Sequence, residues 1–137
     1  MKKRVWIVIA LIPLAAGCLQ SPQRVQSIDL LDQLVDARDT VAQHPQLGCD
    51  LVGNVQTKLY GEPGLTTVQP AWTNLRAAAD ALQTVCGQTT LLAQPFNDSP
   101  ATRLARQRWQ QGIQRETGIA CDHLRTAAAA LGRSAPC

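Results

Sequence analysis

Apolar residues return every third or fourth position through most of the chain, the spacing that lines one face of an α-helix. Ile28, Leu31, Leu34, Val35, Val41 and Ala42 form one such stripe and predict a first helix over about residues 24–43. Ser27 stands where a regular start would place a capping residue, and His44-Pro45 ends the run, because the residue before a proline is pushed out of helical geometry. Cys49, Val52, Val55 and Leu59 share a face and predict a second helix over about 46–60, with Gly61, Pro63 and Gly64 as the following loop. Val68, Trp72, Leu75, Ala79, Leu82 and Cys86 give the cleanest heptad, on a third helix starting near Pro70 and ending at Gly87 or fraying on to Ala93. After the turn-rich segment from Gln94 to Pro100, a fourth and longest helix spans about 101–131. Its inner face is traced by Trp109, Ile113, Thr117, Ala120, Leu124, Ala127 and Leu131. Gly112 and Gly118 lie inside it, each at a cost of roughly 1 kcal/mol relative to Ala, so close packing or a bend is expected there.

No segment alternates in the manner of a strand and no repeat is found. The expected fold is all-α: a small up-and-down antiparallel bundle of about four helices in a single domain, residues 24–137. Trp72 and Trp109 fall on inner faces and are expected in the core. With one Phe and one Tyr that core leans on alanine, which buries little area per residue, so cross-links would help it.

The opening of the chain has a different pattern. Lys2, Lys3 and Arg4 precede Val5 to Leu14, apolar but for the uncharged Pro13, and then Ala15, Ala16, Gly17 and Cys18. Positive, apolar and small residues in that order are the mark of a signal peptide. Leu14-Ala15-Ala16-Gly17-Cys18 resembles the lipobox of bacterial lipoproteins. The resemblance implies cleavage after residue 17, a diacylglyceryl group on the Cys18 thiol, a Cys18-to-Gln23 tether, and a partner in the membrane itself. The commonest lipobox has Leu three residues before the cysteine, where this chain has Ala15. Such a run is too short for a mature span, which needs about 20 residues, whereas two or more acyl chains at ~0.8 kcal/mol per methylene hold stably. Leu19 is not the Asp that retains lipoproteins in an inner membrane, so the outer membrane is expected in a two-membrane cell and the outer face of the cell membrane otherwise.

Removing that segment changes the electrostatic picture. Thirteen Lys and Arg, less Lys2, Lys3 and Arg4, leave ten against ten Asp and Glu, so no general nucleic-acid footprint remains. The charges are segregated, however. Asp29, Asp32, Asp36 and Asp39 form a stripe on the first helix, whereas Arg103, Arg106, Arg108, Arg115, Arg125 and Arg133 crowd the last segment. The expectation is that an acidic helix packs beside a basic one; the alternative is that the arginines face a polyanion.

Cys49, Cys86, Cys121 and Cys137 are even in number, as expected of two disulfides in an exported chain, and none is spaced as C-x-x-C. Three pairings are possible, and helix levels rank them. Cys49 and Cys86 lie on inner faces at levels about 9 Å apart, which an asymmetric loop absorbs, whereas Cys86 and Cys121 differ by roughly 20 Å. The tail past Leu131 can fold back to Cys121. Cys49–Cys86 and Cys121–Cys137 are therefore expected.

Candidate chemistry is sparse. His44 abuts a proline, His123 lies mid-helix, and Cys121-Asp122-His123 diverge by about 100° per residue, so neither a general base nor a metal site is expected. The aspartate stripe offers too few oxygens for calcium, which wants about six to eight. No cofactor motif is present and no enzymatic activity is expected. The expected role is a non-enzymatic envelope lipoprotein that binds or scaffolds another envelope protein. The alternatives are a ligand- or ion-binding lipoprotein, or a helper of a secretion complex similar in architecture alone to secretin pilotins.

Overall fold

The computed structural model describes residues 22–61, 69–135 and 137. They form four helices: α1 (Pro22–Gln43), α2 (Pro45–Gly61), α3 (Gln69–Ala93) and α4 (Pro100–Ala130). These alternate up and down as an antiparallel bundle, so the all-α expectation holds. The signal segment, Cys18 and the first residues of the tether lie outside the described residues, as do Pro63, Gly64 and Val68.

All four helices open on or next to proline, whose fixed φ suits the first turn. Pro22 and Gln23, expected as tether, are for this reason the first turn of α1. Ser27 consequently is not a cap. It is fully buried inside α1, and its hydroxyl donates to the Gln23 carbonyl at 2.9 Å. The N-cap the structure does have is Ser99, which accepts from the Thr102 backbone N–H at 3.2 Å with Pro100 next in line. At the far end, Gly132 adopts φ +68° and Arg133 N–H donates to the Ala128 carbonyl at 2.8 Å, closing α4. Gly87 does not stop α3, which continues to Ala93.

The core is built on α3, which buries Trp72, Leu75, Ala78, Ala79, Leu82, Val85 and Cys86 against Leu30, Leu31, Leu34 and Ala37 of α1, Val52, Val55 and Leu59 of α2, and Ala120, Leu124, Ala127 and Ala128 of α4. α3 and α4 share the most extensive interface, and α2 packs on α1 and α3. Only His44 separates α1 from α2. So tight a reversal brings the helices together at Gly48, where a Cβ would lie 2.3 Å from the Val41 backbone nitrogen. The bundle thus has two ends. The base holds the start of α1, the end of α2, the start of α3 and the end of α4; the apex holds the His44 corner and the α3–α4 turn.

Both expected disulfides are present. Cys49–Cys86 joins α2 to α3 with Cα atoms 5.7 Å apart, and Cys121–Cys137 returns the tail to α4 at 6.0 Å. Arg125 reinforces the second by donating to the Cys137 carbonyl.

Candidate functional surface

Exposed apolar side chains are spread over both ends of the bundle, with Val25 and Tyr60 near the base and Ile119 along α4, but four of the seven large ones, Leu47, Leu91, Phe96 and Leu104, lie at the apex. Gln88 of α3 lies against Gly112, where a Cβ would be 2.3 Å from its amide nitrogen, so these two residues mark one level. Beyond that level α3 has only five more residues, about 8 Å, while α4 extends back twelve residues to Pro100, about 18 Å. About the first two turns of α4 therefore outrun α3, and Gly112 is the first buried residue in the helix. Trp109, expected in the core, is only half-buried, close to where α3 runs out. Gly118, unlike Gly112, has open space where its Cβ would be.

What projects is both apolar and cationic. Leu91, Phe96 and Leu104 are 38%, 40% and 49% exposed. The Arg106 guanidinium sits 3.8 Å from the Phe96 ring centroid, Arg103 approaches Asp98 at 3.8 Å, and Arg108 is exposed. Leu47, on the first turns of α2, adds a further exposed apolar side chain at the His44 corner.

Three hollows surround that corner, and all three touch Pro45. One of ≈ 490 Å³ is an open dish over His44, Leu47 and Asp50. Another, of ≈ 460 Å³, lies between α2 and the end of α3, lined by Cys49, Asp50, Thr89, Thr90 and Ala93. The third, of ≈ 220 Å³, is a narrower slot between α1, α3 and α4 with Arg38 on its wall.

A polar cluster near the base joins α2 to α3. Asp80 accepts from the Tyr60 hydroxyl at 2.5 Å and from the Gln56 amide at 2.9 Å. Arg76 donates to the Leu59 carbonyl at 2.9 Å while its guanidinium lies 5.0 Å from the Tyr60 ring and 5.5 Å from that of Trp72. The hydrogen bond to Asp80, then desolvation and the Asp80 charge, push the Tyr60 phenol above its ordinary value of 10.0. These contacts satisfy one another and serve as inter-helix fastening.

The histidines and aspartates are dispersed. His123 Nδ1 is 2.9 Å from Asn74 Oδ1; because the Asn74 amide nitrogen donates to the Pro70 carbonyl, its oxygen accepts from the histidine. His44 is exposed at the corner. In the aspartate stripe, Asp29 accepts from Gln33, Asp39 pairs with Arg38 at 3.1 Å, and Asp32 faces Arg133 at 3.4 Å. That last contact is the one ion pair between α1 and the arginine-rich segment among the described residues. Arg103, Arg115 and Arg125 instead meet Asp98, Glu116 and Asp122 close by in sequence. The expected packing of an acidic helix against a basic one is therefore realised only at Asp32–Arg133, because the arginines of α4 fall on its outer face. No three His, Cys, Asp or Glu side chains among the described residues converge as a metal site, and no described helix is long and apolar enough to cross a membrane.

Comparison with protein families, with curated proteins and with solved structures finds no match in any of the three.

Proposed function

We propose that this protein is a bacterial cell-envelope lipoprotein, held by acyl chains on Cys18, whose helical domain is a non-enzymatic module that binds another envelope protein. The observation that carries the anchor is the lipobox-like run from Leu14 to Cys18 behind a charged and apolar leader. Two disulfides in a domain of this size agree with an oxidising compartment. Support for protein binding comes from the apex, which presents exposed Leu91, Phe96 and Leu104 on the same end as Arg103, Arg106 and Arg108, with Arg106 over the Phe96 ring, a mixture common at interfaces. Pro22 begins α1 four residues after Cys18, so the base is the end tied closest to the lipid. The apex would then stand a helix length away, ~33 Å, and face outward to a partner.

The test is the intact mass of the protein purified from its own membranes, combined with capture of bound protein. A chain beginning at Cys18 with acyl chains attached, no other cysteine open to alkylation, and one reproducible partner lost on Phe96→Glu/Leu104→Glu would support the proposal. A chain retaining Met1 and lacking lipid would overturn the anchor, and a partner indifferent to the apex variant would overturn the docking surface.

A further inference from the structure

We propose that a second copy of this chain packs its α4 against the acidic face of α1, so that the pairing of an acidic with a basic helix is made between molecules. Both helices carry the same surface pattern. On α1, Val25, Asp29 and Asp36 stand at spacings of four and seven; on α4, read backwards, Ile119, Arg115 and Arg108 stand at four and seven. At about 100° per residue each triplet lies within about 40° of helix circumference, and each is about 16 Å long. All six residues are exposed. Val25 and Ile119, at 52% and 38%, are large apolar side chains left in solvent outside the apex. Among the described residues, Asp36 and Arg108 have no ion pair, Asp29 accepts from the neutral Gln33 amide at 2.7 Å, and Arg115 reaches the adjacent Glu116 at 3.6 Å.

Laying the triplets antiparallel places Ile119 on Val25, Arg115 on Asp29 and Arg108 on Asp36 in a single register. Opposed charges beside an apolar contact attract, whereas α1 on α1 or α4 on α4 would set like charges face to face. The charges therefore select unlike faces over a face meeting itself. The two triplets also lie at different heights. Arg24 donates to the Leu131 carbonyl at 2.7 Å, so Val25 lies beside the end of α4, while Ile119 is twelve residues further up that helix. The neighbouring copy is then displaced by about 16 Å along the bundle, and each copy at an end keeps one unused face. Such a head-to-tail contact adds copies in series, as a ring or an open row. It leaves Phe96 and Leu104 free, so it goes beyond the protein-binding reading of the apex and does not rest on it.

The experiment replaces Ile119 by photoreactive p-benzoylphenylalanine in the full protein, purified from membranes in detergent, with isotope-labelled and unlabelled chains mixed before illumination. Crosslinks between a labelled and an unlabelled chain are expected at residues around Val25, and species beyond the dimer should grow with chain concentration. Raising salt from about 0.05 M to about 0.5 M should cut the yield at least about fivefold. Asp29→Arg/Asp36→Arg and Arg108→Asp/Arg115→Asp should each abolish association alone, in chains of unchanged helical circular dichroism. An equimolar mixture of the two should restore it, because each reversed face then meets its complement. A chain monomeric up to about 1 mM, crosslinks that map away from α1, association indifferent to both reversals, or no restoration on mixing the folded variants would overturn the proposal. So would crosslinking in intact membranes to a different protein in place of a second copy.

Discussion

The two ends of α4 are made of the same helix and behave as different materials. From Ala120 to Leu131 it is embedded: Ala120, Leu124, Ala127 and Ala128 are buried, and the tail is bolted back through Cys121–Cys137. From Pro100 to Gln111 no residue is buried, and Leu104 stands half-exposed among arginines. Helical spacing is present in both halves, so periodicity does not distinguish them. The difference is opposition. The lower half faces α1 and α3 together, whereas the upper half meets only the last residues of α3 and its first two turns rise past them. A bundle end built this way trades buried area for presented area, and stability and binding are thereby assigned to different parts of one helix.

The largest test of that contrast lies in the disulfides. Replacing Cys49 and Cys86 together by Ala should cost about 4 kcal/mol, since the bridge closes a separation of 37 residues. Replacing Cys121 and Cys137 should cost about 3 kcal/mol for a separation of 16. Urea unfolding of the two pairs checks the order, and equal losses would show that native-state distortion outweighs loop length. Next, Leu124→Ala should lose about 3 kcal/mol by opening a cavity, while Leu104→Ala should change stability by less than about 0.5 kcal/mol. Comparable losses at both would mean that the apex half of α4 is covered in solution.

Smaller effects separate the glycines. Gly48→Ala should cost about 2 kcal/mol, because its Cβ meets Val41 backbone, which cannot rotate aside. Gly118→Ala should stabilise by about 1 kcal/mol, since open space surrounds it and alanine is the better helix former. Thermal melts of both decide whether close approach at the α1–α2 corner is a real constraint. The smallest effect concerns Tyr60, the single tyrosine. Its phenol is held neutral by Asp80, so its absorbance titration should have a midpoint above 10.0, and Asp80→Asn should bring it down. Because the folded value is raised, the stabilisation from this bond is full below pH 10 and is lost as pH climbs through the folded midpoint. A titration unchanged by Asp80→Asn would remove the Tyr60–Asp80 contact from the account.

Much of this architecture was legible in order of residues. Trp72, Leu75, Ala79, Leu82 and Cys86 recur with heptad spacing and all proved buried. Pro45 ends α1 and opens α2 by the same ring constraint, and the differing helix levels of the four cysteines left one favoured pairing. Local backbone rules and 1.5 Å per residue suffice for such statements, because they depend on neighbours in sequence. The same rules read Ser27 as a cap and Trp109 as core, and both assignments failed. Ser27 failed because Pro22 started the helix earlier, and Trp109 because the bundle thins toward the apex, where no residue of α4 before Gly112 is buried.

The sequence alone therefore determined where helices run, which face of each is apolar, how the cysteines divide, and the expectation of a lipid anchor at Cys18. Tertiary structure decided which faces meet. It placed Gly48 against Val41, gave Asp32 its partner in Arg133, and tied Tyr60 to Asp80 across two helices. It also left Arg38 beside an apolar slot, with its Nε buried and without a hydrogen-bond partner among the described residues. None of these has a local signature, because each depends on the relative height and rotation of helices distant in the chain. Those quantities are set by how side chains interlock across the whole core.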